Sequence, residues 1–222
     1  MKNIFTKPLF APLFVYIVWS FWVVVTLTFF NTDLATIYGD NGFTDIATYV
    51  FYGGVLLALT IFVRDFYSTG KMLDFCAFAA LTVICILREM GAQHWLPSKD
   101  TTFIKIRFFT NPDNPISEKI LGAFIIIAIV VVIGDILYKY AVPAVKGFFR
   151  LNPISWGIAT LGTFGLIGKV IDRMHSKFFV NMGSVELSTG FLEETLEAMI
   201  PFSAIVVILQ FHYMLKTSKE DK

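Results

Sequence analysis

Charge is what this 222-residue chain has least of: Lys, Arg, Asp and Glu together make up 16% of it, where soluble domains carry about a quarter. That scarcity excludes an ordinary water-facing globule. The charges nearly cancel, to a formal net of +1, whereas nucleic-acid binding needs clustered Lys and Arg to displace phosphate counterions. No nucleic-acid partner is expected. Cysteine is almost missing as well. The two copies, Cys76 and Cys85, form no CxxC pair and fall inside one apolar run, where a reduced thiol acts as a small hydrophobe. A P-loop, a GxSxG elbow, lipid-phosphatase motifs and paired haem histidines are all absent from the chain, so the sequence names no cofactor and no standard hydrolase.

What the chain has instead is apolar length. Hydrophobic residues make up 56% of it, with 24 Phe and 8 Tyr, and the mean hydropathy is +0.69. Six apolar runs stand out, at Leu9–Phe30, Ile46–Val63, Met72–Leu96, Ile120–Ala141, Ile154–Ile171 and Phe191–Leu215. Crossing a bilayer takes about 20 helical residues, so the expected fold is all-α: a single polytopic integral membrane bundle of residues 1–222 with six transmembrane helices. Lys2 and Lys7 ahead of the first run resemble the start of a signal peptide. However, the run continues to Phe30, past the roughly 7 to 15 residues of a cleavable apolar segment, and it reads as a retained helix.

Six crossings put both termini on one face. The connections on that face hold ten Lys and Arg against eight opposite, and the first opposite loop, Asn31–Asp45, is purely acidic. By the rule that bases stay inside, the termini are expected to be cytoplasmic, in a multi-pass protein of the cell membrane, the inner membrane if the host is bacterial. The long third connection interleaves bases and aromatics from Phe103 to Phe109, including Lys105 and Arg107. Such a segment suits either the headgroup layer or plain packing on helix ends.

Polar residues inside the runs are expensive and therefore informative. With the third helix drawn to Leu96, Arg88 and Glu89 lie one to two turns below the surface. In the sixth run, Thr189 and Gly190 read as a cap, Glu193 and Glu194 as first-turn residues facing the helix dipole, and Glu197 as one turn deeper on the face of Glu193. His94 and His175 belong to the same membrane face, while His212 lies opposite. Arg88, Glu89, His94, Arg107, His175, Glu193 and Glu197 therefore form the candidate ligand-binding set. A two-His metal site with Glu89, Glu193 and Glu197 is chemically reasonable but matches no ligand spacing. An Arg88–Glu197 ion pair would also account for both residues.

Asp135 and Lys139 are spaced as a structural i, i+4 pair. Ser155, Ala159, Gly162 and Gly165 form a small-residue face on the fifth helix that suits a membrane-protein partner. Three functions fit. The first is a small-solute or lipid-handling transport component with a polar ligand or headgroup site in the non-cytoplasmic leaflet. The second is a membrane-embedded hydrolase, and the third an accessory subunit of a membrane complex.

Overall fold

The computed structural model describes residues 4–29, 42–95, 102–174 and 184–220, and their regular structure is entirely helical. A 3-10 turn at Ile4–Thr6 precedes α1 (Phe10–Phe29), α2 (Phe43–Ile61), α3 (Val63–Ser68) and α4 (Met72–Glu89). After a second 3-10 turn at Ala92–His94 come α5 (Ile106–Thr110), α6 (Ile116–Phe149), α7 (Pro153–Met174) and α8 (Ser184–Glu220). Among the described residues five helices, α1, α2, α6, α7 and α8, are long and apolar enough to cross a membrane, the architecture of a multi-pass membrane protein. The expected third span differs, because α4 carries Asp74, Arg88 and Glu89 within only 18 residues.

Helices are the only open-ended way to satisfy backbone groups in hydrocarbon, and the hydroxyl side chains follow the same logic. Thr48, Thr82, Thr160 and Ser203 each donate to the carbonyl four residues earlier, at 2.7 to 2.9 Å. These polar groups are satisfied within their own helices.

The chain divides into two compact units, Met1–Asp65 with Pro143–Lys222, and Phe66–Val142. In the first, α8 is the central element and packs against α1, α2 and α7. Ala11, Val15, Phe164, Leu196, Met199 and Val206 form its buried core, with Tyr16 stacked on Phe164 at 4.9 Å. Two glycines let the backbones approach α8. A Cβ on Gly157 would come within 2.6 Å of Val207, and one on Gly54 within 2.9 Å of Ile205.

In the second unit, the segment before α6 folds back onto that helix. Phe103 and Phe108 are buried, and a Cβ on Gly122 would come within 3.2 Å of the Phe108 ring. The Asn114 amide donates to the Phe108 carbonyl at 2.9 Å and holds the return. Nearer the C-terminal part of α6, Lys139 bonds Asp135 at 2.8 Å, as the spacing predicts, and also Asp74 of α4 at 3.2 Å. The Tyr140 hydroxyl donates to the same Asp74 carboxylate.

Two helix boundaries correct the sequence expectation. The third run does not stay helical to Leu96: α4 ends at Glu89, and Gly91 turns the chain with φ near 70°. Arg88 and Glu89 therefore occupy the last turn of α4, where a long side chain reaches water easily, instead of one to two turns inside. The sixth helix does not begin at Thr189 and Gly190. It begins at Ser184 and runs for 37 residues, so Glu193 and Glu194 lie more than two turns in, beyond the reach of the positive N-terminus.

Candidate functional site

The acids that a membrane makes costly gather at one end of the first unit. Asp45 lies in the first turn of α2, Glu193, Glu194 and Glu197 lie on α8, and Lys169 and Asp172 lie near the end of α7. The half-buried Glu194 carboxyl hydrogen-bonds the Asp45 side chain, with Glu197 and Glu193 as its other acidic neighbours.

Glu197 is held from the side of α7. The Lys169 ammonium lies 3.4 Å from its carboxylate and 3.3 Å from that of Asp172. Gly168 of α7 lies beside the Glu197 stem, where a Cβ would make ordinary contact at 4.0 Å from the Glu197 Cγ. Thr195, on the buried side of α8, accepts from the Trp19 indole at 3.3 Å and donates to the Leu192 carbonyl at 3.0 Å. Pro201 lies buried one turn beyond Glu197 and supplies no N–H to the helical ladder.

The other end of the unit holds a pairing that the sequence reading missed. His212 Nδ1 lies 2.6 Å from an Asp65 carboxylate oxygen, and Phe62 stacks on the imidazole at 4.3 Å. Both side chains are mostly withdrawn from solvent. Next to it, the Gln210 amide donates to the Phe5 carbonyl at 3.2 Å, and Phe5 stacks on Tyr213 at 4.6 Å. These contacts bring the N-terminal turn, the end of α2 and the C-terminal part of α8 together.

The remaining candidates are divided between the two units. Arg88 and Glu89, in the second unit, lie 3.8 Å apart as chain neighbours. His94 is exposed in its 3-10 turn and Arg107 is exposed on α5, while His175 lies outside the described residues. Glu193 and Glu197 belong to the first unit, and Arg88, Glu89, His94 and Arg107 to the second. No three His, Cys, Asp or Glu side chains among the described residues are grouped to hold a metal ion. The small-residue face of α7 is also divided. Ser155 is buried, a Cβ on Gly165 would lie 3.7 Å from Ile200, and Gly162 faces open space.

The chain matches no protein-family model, no curated protein and no solved structure.

Proposed function

We propose that this multi-pass membrane protein is a small-solute transport component that takes up a proton or small cation at the acid-rich end of its first unit. The reading places that end in the non-cytoplasmic leaflet, with six crossings and both termini cytoplasmic. One observation carries it: the carboxyls of Asp45 and Glu194 share a hydrogen bond between α2 and α8. Two acids on different spans, joined through a proton, separate when that proton leaves. Their spacing is therefore tied to protonation or to a cation in its place. Glu197, held by Lys169 on α7, extends the same arrangement to a third span and gives the departing proton an adjacent acceptor.

The test uses full-length protein in sealed vesicles that trap a pH-sensitive dye. An imposed cation or amine gradient is expected to drive proton movement in the wild type. Glu194→Gln keeps the shape and the hydrogen-bonding capacity of the side chain but cannot ionise. It should abolish the movement and leave the elution volume and melting temperature of the protein unchanged. Proton movement absent from the wild type, or fully retained in Glu194→Gln, would remove the proposal.

A further inference from the structure

We infer that the outward face of residues 102–110, in the second unit, is a docking surface for anionic phospholipid headgroups. The segment is pinned from beneath: Phe103 is 5% and Phe108 0% exposed, while Ile104 and Ile106 between them are 55% and 81% exposed. Lys105 and Arg107 alternate with these isoleucines and point outward with them. Neither cationic side chain has an ion pair or hydrogen bond among the described residues. Lys139 and Lys169, by contrast, are each held by carboxylates at 2.8 to 3.4 Å.

The level of the segment follows from its anchor. Phe103 and Phe108 close on Gly122, six residues into α6 and so about 9 Å along its axis. After Lys119 the chain carries no charge until Asp135, so the hydrocarbon layer begins close to Ile120, only about 3 Å along the axis from the anchor. Ile116 and Ile120, both well exposed, continue the apolar surface into that layer. Two cations with no ion pair among the described residues and two exposed isoleucines at this level match a lipid in both its parts. The bases meet a phosphate, and the isoleucines enter the acyl region below it. A water-soluble acidic partner would use the bases and leave the isoleucines wet.

The experiment reads lipid identity at the site itself. A polarity-sensitive fluorophore is attached at Ile106→Cys in full-length protein carrying Cys76→Ser and Cys85→Ser, in nanodiscs of phosphatidylcholine and phosphatidylglycerol. Quenching is compared between a bromine-labelled chain on the anionic lipid and the same chain on the zwitterionic lipid. The anionic quencher is expected to be enriched, at up to about fivefold for each base. Lys105→Gln with Arg107→Gln should erase the preference, and Lys105→Arg with Arg107→Lys should keep it. Equal quenching in the wild type, a preference that survives the double Gln variant, or a preference abolished by millimolar free phosphate would each overturn the inference. A fluorophore reached by neither lipid would show a protein-covered or water-facing surface and overturn it as well.

Discussion

His212 and Asp65 lie 147 positions apart, and nothing local in the sequence joins them. Their contact is made by the return of α8 past the end of α2, and Phe62 fixes the ring plane by stacking on it. A hydrogen bond to a charged group contributes about 1.5 to 3 kcal/mol, and partial exposure reduces it. In a double-mutant cycle of Asp65→Asn and His212→Phe, the coupling should be about 1 kcal/mol, read from denaturant or thermal unfolding in detergent. Additive effects would show that the contact contributes nothing. Glu197 stands out in the sequence as an acid within an apolar run, whereas Glu194 reads there only as a first-turn acid facing the helix dipole. What the sequence could not give is the partner: Asp45 and Lys169 come from other helices and belong to no shared motif.

At the level of helices, hydropathy located the long elements and misjudged two of their ends. The third run was drawn past Gly91 because Met90, Ala92, Trp95 and Leu96 prolong the apolar signal. Gly91 was the available stop signal, since a glycine in the left-handed region ends helices. Thr189 and Gly190 read as a cap in the sixth run, yet the mixed stretch from Ser184 to Gly190 has no proline to interrupt the helix. Backbone conformation leads to a contrast that can be measured. Leu151, in the turn between α6 and α7, has φ of 55°, which costs a side-chain-bearing residue about 1 to 2 kcal/mol. Leu151→Gly should therefore raise the melting temperature, and an unchanged or lower value would contradict the strain.

Packing supplies a second contrast, within α7. Gly157→Leu drives a side chain into Val207 and Gln210 and should destabilise by roughly 2 kcal/mol or more. Gly162→Leu meets open space and gains helix propensity of up to about 1 kcal/mol. Equal losses for the two would mean that α7 and α8 do not approach closely at Gly157. If Gly162 also docks a partner, its leucine variant should lose that partner while melting like the wild type.

The number of crossings belongs to the whole chain, and six crossings carry a consequence that labelling can check. The contact of His212 with Asp65 places the end of α2 beside the C-terminal part of α8. Gly157, near the start of α7, lies against Gln210 and Ala11 at that same end. The end of α2, the start of α7 and the C-terminal part of α8 thus lie at one end of the first unit. In a chain of six crossings the uncharged stretch of α6 from Ile120 to Gly134 supplies one of the two between α2 and α7. Among the described residues α4 alone between Phe66 and Ile116 has the length for the other, its 18 residues spanning about 27 Å. Its charges are manageable: Asp74 is bonded by Lys139 and Tyr140, and Arg88 and Glu89 lie in the last turn. Single cysteines in a background of Cys76→Ser and Cys85→Ser, labelled with a membrane-impermeant maleimide, should divide into two groups. Thr69→Cys, Lys146→Cys and Lys216→Cys should react only when the cytoplasmic face is out, where Lys and Arg accumulate, and Asp113→Cys only when it is not. Labelling of Asp113→Cys from the same side as Thr69→Cys would leave α4 on one surface and reduce the count to five.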